Sequence, residues 1–455
     1  MKKFDYDYVV IGSGAAGRAA ALMAAGAGVK TAIVESGYWG GNTLNYRNVP
    51  EAAALNFSTL YLQAVRGARF GLSSNNLRFN YPTALNWQTV AARRAGANST
   101  KSLEEVGVTC IKGLAHFVGP REIAVGEKGR VSAKHFLIAT GSEPVEDGIA
   151  GADRVTHLTP KNAMKVSRLP KVALVVGGGA SGCEIAEYYA SLGVKVLMAE
   201  LAERLLPKKD SEVGEMIEFY LTKQLGVKVL TQSRVIAIER DGSYKKAVFL
   251  RGGQEKSVKI EEIVLATGSK PAIDLGLENA GVKFTNGGIK VNKSLQTSNK
   301  HIYAAGDVLG GGESSTERAT YEAAIATANI INKGKSAVNY AGFTRVTRTF
   351  PMVASVGITE DECMKRDKKY KVALAPLSAV SASNTEDFRT GFVKILADRE
   401  GKVLGATVVA PHADLVIQEI ALAIKQQLKI VDLASTPHVA DSWGELVKVV
   451  ARRLA

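Results

Sequence analysis

Two sets of glycine and glutamate residues in this chain have the types and spacing to bind a dinucleotide. Each set has three glycines in the spacing G-x-G-x-x-G and a glutamate 18 residues beyond the third glycine. The first glycine allows a tight turn, the second lets the backbone approach a pyrophosphate, and the third lets a helix pack on a strand. The glutamate accepts hydrogen bonds from a ribose diol. The two sets are Gly12, Gly14, Gly17 and Glu35, and Gly177, Gly179, Gly182 and Glu200.

The sequence around both sets predicts the elements that must position these residues. An apolar run at residues 8–11 precedes the first glycines, and a similar run begins just after Lys171 before the second. Such runs are typical of buried parallel strands. The residues after the glycines predict a helix, whose N-terminus offers free N–H groups and a positive dipole end to a pyrophosphate. The near-repeat indicates an internal duplication of one binding unit.

Composition narrows the class of protein. A chain of 455 residues with 46% hydrophobic content is expected to form two to four domains. Its cysteines, Cys110, Cys183 and Cys363, are widely spaced, which argues against a disulfide scaffold or a metal site and favours a cytoplasmic protein. We predict neither a signal peptide nor a membrane span. The net charge is +14, but the basic residues are scattered, so we expect a solvated basic surface rather than nucleic acid binding.

The segment after Glu35 carries a resemblance to a known family. Residues 40–52 read GGNTLNYRNVPEA. The pyridine nucleotide-disulfide oxidoreductases, which include lipoamide dehydrogenase, glutathione reductase and mercuric reductase, read GGTCLNVGCIPSK there. On that pattern Thr43 and Asn48 occupy the two positions of the family's redox cysteines, and Ala52 occupies the position of its lysine.

Further segments are similar to the same family over essentially the whole chain. Residues 113–117 (GLAHF) resemble the segment that meets the flavin adenine, and residues 139–141 and 263–268 each end in an Ala-Thr-Gly turn between domains. Residues 301–307 (HIYAAGD) end in Asp307, whose counterpart in the family meets the flavin ribityl chain. Residues 350–360 resemble the start of the family's interface domain.

The resemblance implies an α/β fold with two Rossmann-like domains and a C-terminal α+β domain. It predicts an FAD-binding domain in two parts (1–149 and 271–337), an inserted NAD(H)-binding domain (150–270) and a dimerisation domain (338–455) that makes a homodimer. An acid at Glu200 favours NADH, since a 2′-phosphate would require arginine there, although Arg204 is close enough to leave NADPH open. No metal site is expected. The predicted cofactor-binding residues are Gly12, Gly14, Ala15, Ala16, Gly17, Glu35, Ser36, Gly41, Asn42, Thr43, Asn45, Ala115, Ala139, Thr140, Gly141, Gly177, Gly179, Ser181, Gly182, Glu200, Gly268 and Asp307.

The missing cysteines determine the expected chemistry. Thiol–disulfide exchange requires a thiolate that attacks and a second sulfur that resolves the mixed disulfide. The hydroxyl of Thr43 and the amide of Asn48 can do neither, so a disulfide reductase working through this site is excluded. The resemblance implies that Asn48 and Arg47 face the flavin instead. Arg47 would stabilise an anionic reduced flavin or orient an acceptor; alternatively it fills the vacated pocket or makes a surface ion pair.

Two more departures from the family concern acid–base groups. Glu184 matches the family's acid beside the nicotinamide, but its lysine partner is Ala52 here, so we expect Glu184 to gain a new cation, with Arg47 as the hypothesis, or a proton. The family's interface histidine and glutamate are replaced by Thr436 and Asp441. His438 lies nearby and is a candidate for protonating the reduced acceptor, with helix capping or packing as the alternative.

These observations predict an FAD-dependent NADH oxidoreductase without a redox disulfide. Hydride would pass from NADH to the flavin, and electrons would then pass to a small non-disulfide acceptor, with a quinone favoured. A soluble transhydrogenase is an alternative that would require NADPH binding, against which Glu200 argues. A second alternative is a non-catalytic redox-sensing flavoprotein whose basic surface binds nucleic acid. It would show salt-sensitive nucleic acid binding and no flavin reduction by NADH.

Overall fold

A computed structural model describes residues 3–73, 77–96, 100–146, 148–311 and 315–455. Residues 1–2, which belong to the segment where no signal peptide is expected, lie outside these ranges. The chain forms two compact units. Unit 1 comprises Met1–Ala54, Asn80–Val145 and Gly268–Asn339, and unit 2 comprises Leu55–Phe79, Glu146–Thr267 and Tyr340–Ala455. The division into the four predicted domain segments stays a prediction.

The described residues form strands and helices throughout both units. The strands are β1 (Tyr6–Ile11), β2 (Thr31–Glu35), β3 (Thr109–Lys112), β4 (Ala115–Gly119), β5 (Glu122–Val125), β6 (Arg130–Ile138), β7 (Ser142–Pro144), β8 (Val172–Val176), β9 (Lys195–Ala199), β10 (Lys228–Leu230), β11 (Ser233–Asp241), β12 (Tyr244–Arg251), β13 (Gln254–Ile260), β14 (Glu262–Leu265), β15 (Ser269–Pro271), β16 (Phe284–Thr285), β17 (Gly288–Ile289), β18 (Ile302–Ala304), β19 (Thr344–Thr347), β20 (Met352–Gly357), β21 (Lys371–Pro376), β22 (Phe392–Ala397) and β23 (Val403–Ala410). The helices are α1 (Ala15–Gly26), α2 (Gly41–Asn45), α3 (Asn48–Arg66), α4 (Tyr81–Gly96), α5 (Lys101–Glu104), α6 (Ala180–Ser191), α7 (Ser211–Phe219), α8 (Thr316–Ile331), α9 (Glu360–Lys365), α10 (Ala382–Thr385), α11 (Ala413–Lys425), α12 (Ile430–Ser435) and α13 (Glu445–Leu454).

Unit 1 is built on a sheet whose central strands are parallel. The order β3-β2-β1-β6 is parallel, β18 pairs in parallel with β6, and β5 and β4 extend the sheet antiparallel. The predicted strand at residues 8–11 lies within β1, where Val9 and Val10 are fully buried. Helices α1 and α8 pack against each other beside this sheet. A strand covered on both faces has no polar side, which explains the continuous apolar run in the sequence.

Unit 2 contains a second parallel sheet and two antiparallel ones. The order β10-β9-β8-β14 is parallel, β11-β12-β13 is a separate meander, and β19-β20-β23-β22-β21 is antiparallel. The last sheet shares one hydrophobic core with α11 and α13. Residues 55–79 are part of this unit. In this segment Arg66 lies over three aromatic rings, 5.9, 5.1 and 5.7 Å from the centroids of Tyr220, Phe350 and Phe388. The predicted α/β class with a C-terminal α+β part is confirmed. Across the described residues, no helix has the length and apolar content needed to cross a membrane.

A buried lysine joins three separate segments of unit 2. Lys394 is 1% exposed, and its Nζ lies 2.9 Å from Asp210 Oδ2, 3.1 Å from Glu212 Oε1 and 3.0 Å from Glu360 Oε2. Burial by itself lowers the pKa of a lysine, but hydrogen bonds to these carboxylates raise the pKa of Lys394 above its usual value. The ammonium therefore stays charged and holds the turn before α7 and the first turn of α9 against β22.

Replacing Lys394 by Met should destabilise the protein strongly, because it leaves three carboxylates around an apolar side chain. The loss of one partner from a buried ion pair typically costs about 3–5 kcal/mol. Denaturant unfolding monitored by circular dichroism measures this loss. The control is Lys365→Met at an exposed site of α9, which should stay within about 0.5 kcal/mol of wild type. An equal free energy of unfolding for the two variants would show that Lys394 does not stabilise the fold.

Candidate functional site

The glycine turn after β1 has two glycines required by packing and one that faces open space. A Cβ atom added at Gly17 would lie 1.8 Å from the carbonyl oxygen of Gly12, and one at Gly12, where φ is 99°, would lie 2.4 Å from the carbonyl oxygen of Ala139. A Cβ added at Gly14 would meet nothing within 4 Å. The first and third glycines therefore let backbone contact backbone, while the second leaves room at the N-terminus of α1 for a ligand.

Glu35, at the end of β2, stabilises this turn through hydrogen bonds. Its Oε2 accepts hydrogen bonds from the Ser13 amide at 2.8 Å and the Ser13 hydroxyl at 2.6 Å, and its Oε1 accepts from the Gly37 amide at 2.6 Å. Each carboxylate oxygen has two lone pairs, so Oε1 can still accept one bond from a ribose hydroxyl. Sequence reasoning found Glu35 but missed Ser13, whose hydroxyl also accepts from the Gly40 amide at 3.0 Å.

The turn after β8 in unit 2 repeats this arrangement. A Cβ at Gly182 would lie 1.9 Å from the carbonyl oxygen of Gly177, one at Gly177 would lie 2.4 Å from that of Ala266, and one at Gly179 would meet nothing within 4 Å. The carboxylate of Glu200 accepts from the amide of Gly178 and, at 2.6 Å, from that of Ala202. Two independent parts of the chain thus fold into the same acid-braced turn, each with one glycine open toward a ligand.

Both turns fit a dinucleotide. Each has an open glycine at the N-terminus of a 12-residue helix, the position at which backbone N–H groups and the helix dipole bind phosphate oxygens. In unit 1 a cavity of 310 Å³ adjoins the turn. Its lining includes Ser13, Gly14, Arg18, Thr43 and Thr316. These residues would hold an FAD pyrophosphate through backbone amides and hydroxyls.

The predicted contact Asp307 lies beside a residue that sequence reasoning missed. The hydroxyl of Ser142 donates to Asp307 Oδ2 at 3.1 Å, and the Asn42 side-chain amide donates to the Ser142 carbonyl at 3.1 Å. The fully buried Glu322 accepts a hydrogen bond from the Gly306 amide at 2.7 Å. This bond fixes the turn before Asp307. Asn42, Ser142 and Asp307 therefore form one hydrogen-bonded group in unit 1.

The other predicted cofactor residues occupy the ends of elements. The Thr140 hydroxyl donates a hydrogen bond to the Ala272 carbonyl at 2.7 Å. The side-chain amide of Asn45 donates to the carbonyls of Trp39 and Gly41, both at 2.9 Å. Both side chains thus hold the chain's own backbone. The remaining predicted positions are Ala15 and Ala16 in α1, Ser36 after β2, Gly41 and Thr43 in α2, Ala115 in β4, Ala139 and Gly141 after β6, Ser181 in α6 and Gly268 before β15.

The segment that would carry the redox cysteines is held by polar contacts. The Asn48 side-chain amide donates to the Thr316 hydroxyl at 2.5 Å. Arg47 lies just before α3, and its Nε is 3.2 Å from Oε2 of the buried Glu51. Its pairing with Glu184 stays a prediction. None of the three cysteines lies in α2 or α3: Cys110 is in β3, and burial raises the pKa of the thiols of Cys183 and Cys363.

Glu184 has a second acid one turn further along α6. Glu184 Oε1 accepts from the Arg348 amide at 2.6 Å, and Glu187 Oε2 accepts from the Phe350 amide at 2.8 Å, so both acids bind one segment between β19 and β20. Glu187 is 1% exposed, and its Oε1 has no hydrogen-bond partner among the described residues. Burial raises the pKa of Glu187 well above its usual value, and the neighbouring Glu184 raises it further. Burial therefore favours the neutral form of Glu187 more than it would for a solvated glutamate, although the Phe350 amide and the charge of Arg66 act in the opposite direction.

His438 is engaged at both ring nitrogens. Nδ1 lies 2.9 Å from the Thr436 carbonyl oxygen, and Nε2 lies 3.0 Å from Glu419, with 7% of the side chain exposed. The catalytic role of His438 stays a prediction. Asp441 binds the Ser381 hydroxyl and contributes no carboxylate to the ring.

The comparisons with known proteins cover the whole chain. Residues 6–328 match the model for pyridine nucleotide-disulphide oxidoreductases, and residues 343–450 match the model for their dimerisation domain. A mercuric reductase of Bacillus cereus is 33% identical over 97% of this chain and 70% of its own length. A dihydrolipoyl dehydrogenase of Bacillus subtilis is 29% identical over 98% and 96%.

Solved structures share the fold. The HOCl-induced flavoprotein disulfide reductase RclA from Escherichia coli, as its Cu(II) complex, aligns over 100% of both chains with a TM-score of 0.88 and 21% identity. LpdA from Mycobacterium tuberculosis aligns over 99% of this chain and 100% of its own, with a TM-score of 0.87 and 26% identity.

In the first turn, Gly14 faces open space and Gly17 is tightly packed, so substitution by alanine should affect the two positions differently. Gly14 has φ −64°, which alanine adopts, so Gly14→Ala should keep the thermal midpoint of the flavin-free protein within about 2 °C of wild type. Its affinity for FAD should fall about tenfold, or ~1.4 kcal/mol. Gly17→Ala should lower both, because its methyl group overlaps the Gly12 carbonyl. Flavin absorbance after dialysis and thermal scans measure the two effects; equal behaviour of both variants would contradict the assignment.

The raised pKa of Glu187 predicts a stability that depends on pH. Folding keeps a proton that the unfolded chain releases near its ordinary pKa of about 4.3, so the free energy of unfolding should fall as pH rises toward the folded-state pKa. Glu187→Gln mimics the neutral acid and should flatten this dependence. Urea unfolding from pH 5 to alkaline pH tests it, with Glu215→Gln at an exposed site of α7 as control. Parallel pH profiles for wild type and Glu187→Gln would refute the protonated form.

Proposed function

The chain belongs to the pyridine nucleotide-disulphide oxidoreductase family, a family of FAD-dependent oxidoreductases that use NAD(P)H, and we propose that it oxidises NADH without a redox disulfide. Its electron acceptor is a small non-disulfide molecule, for which a quinone is our first candidate. The proposal includes a cytoplasmic homodimer, which is supported by the free cysteines and by the matched dimerisation domain.

The observation that carries the proposal is the chemistry of the two cysteine positions. Thr43 and Asn48 stand there, and neither residue forms a disulfide or a thiolate. The Asn48 amide instead binds the Thr316 hydroxyl, so a polar, redox-inert contact occupies this segment. The relatives named mercuric reductase and dihydrolipoyl dehydrogenase act, by those names, on mercury and on dihydrolipoyl groups. Those names therefore do not supply an acceptor for this chain.

Residues of this chain would bind and orient FAD and NADH, and would neutralise negative charge beside the flavin. The turn at Gly14 and the group around Asp307 would hold FAD, and the turn at Gly179 with Glu200 would hold NADH. When bound, FAD would supply the chemistry of a two-electron transfer from NADH to the acceptor. Arg47, one third exposed, supplies a positive charge in the segment that the resemblance places beside the flavin. Glu200 supports NADH over NADPH, because its negative charge repels a 2′-phosphate.

An anaerobic titration of the purified protein with NADH tests this function. Without a disulfide, the visible absorbance of the flavin should bleach fully with one NADH per flavin, and further NADH should add no electrons. Reoxidation should then be faster with a quinone than with lipoamide or glutathione disulfide. A Thr43→Cys/Asn48→Cys variant is the matched control, since a restored disulfide should take up a second pair of electrons and become a dithiol. Uptake of two NADH by the wild type, or no bleaching, would overturn the proposal.

A further inference from the structure

The end of β9 has a fixed negative charge. Both oxygens of Glu200 accept backbone amide bonds, and the residue is 8% exposed, so the carboxylate cannot turn away. NADPH differs from NADH by a 2′-phosphate on the adenosine ribose. A site that accepts NADPH needs a cation there, and an arginine binds phosphate best because its planar fork can make two bonds.

Three cations follow Glu200 in the loop before α7, and two of them are bound elsewhere. Arg204 Nη2 forms an ion pair with Asp361 Oδ2 and donates to the Lys209 carbonyl oxygen at 3.2 Å. Lys209 is 4% exposed, and its Nζ donates to the Ser355 hydroxyl at 3.1 Å. Lys208 is exposed. Arg204, the residue of this loop best suited to bind phosphate, is therefore already paired with a carboxylate.

The carboxylate that binds Arg204 is itself well positioned. Asp361 lies in the first turn of α9 with 21% of its side chain exposed, and its amide donates to Asp210 Oδ1 at 3.3 Å. Helix α9 starts with a capping box between Thr359 and Glu362. The α9 start is also tied through Glu360 to the buried Lys394 described above. Asp361 is thus held in place by contacts that do not involve Arg204.

We propose that Asp361 is a positioning residue for coenzyme choice: by binding Arg204 it keeps the guanidinium from a 2′-phosphate, so the second glycine turn takes NADH and rejects NADPH. The inference rests on the proposed function, because it assumes that the Gly179 turn binds a nicotinamide dinucleotide. It adds that the selectivity depends on a residue 161 positions from Glu200 in the sequence. Release of Arg204 should then convert a repelling site into one that tolerates the extra phosphate.

Asp361→Asn is the test, measured by calorimetry on the full-length FAD-loaded protein. The probes are AMP and adenosine 2′,5′-bisphosphate, which differ by the 2′-phosphate and undergo no redox reaction. We expect the variant to bind the bisphosphate about tenfold more tightly than wild type does, the gain of roughly one charge-assisted hydrogen bond. AMP affinity should stay within about twofold. Asp361→Ser is measured in parallel in case the asparagine variant does not fold.

A double-variant cycle separates a coenzyme role from a structural one. Arg204→Gln should leave bisphosphate affinity at the wild-type level, and Asp361→Asn/Arg204→Gln should lose the tenfold gain. Asp361→Glu, which keeps the carboxylate, should behave as wild type. A gain that persists without Arg204, a gain for both probes, or no gain in folded Asp361→Asn and Asp361→Ser would overturn the inference. No binding of AMP to the wild type would instead overturn NADH binding at this turn.

Discussion

The close approach of backbone to backbone at the two glycine turns is the constraint on which the rest of the site depends. A Cβ at Gly17 or Gly182 would lie within 2 Å of the carbonyl oxygen of Gly12 or Gly177, so only glycine lets helix and strand come this near. Glu35 and Glu200 then hold each turn by accepting amide hydrogens from both sides. This contact brings the N-termini of α1 and α6 to the edge of their sheets, where a pyrophosphate can reach them.

Features that depend on neighbours in sequence could be predicted, and features that depend on distant neighbours could not. The strand at residues 8–11, the glycine turns and the acids at the strand ends follow from local spacing. Ser142 beside Asp307, and Glu419 beside His438, are contacts between separate segments, and their residue types are ordinary. Glu187 could have been suspected, because an acid one turn beyond Glu184 on a buried helix must lose its charge or find a partner.

The polar groups that replace the family's reactive residues are occupied by hydrogen bonds within the chain. Asn48 binds Thr316, the Thr436 hydroxyl binds the Asp432 carbonyl at 2.7 Å, and His438 binds Glu419. Asn48, Thr436 and His438 each have such a bond. The side chains of these three residues therefore have hydrogen-bond partners within the chain, as polar groups in a folded protein usually do.

The buried Lys394 also limits how this protein can change over evolutionary time. Its three carboxylate partners come from two segments, one with Asp210 and Glu212 and the other with Glu360, yet they share one ammonium. Replacement of the charged residue by an uncharged one at any of the four positions would change the net charge of the whole group. Substitutions there are expected to occur together, so these positions should covary among related sequences even though none of them is assigned to a cofactor.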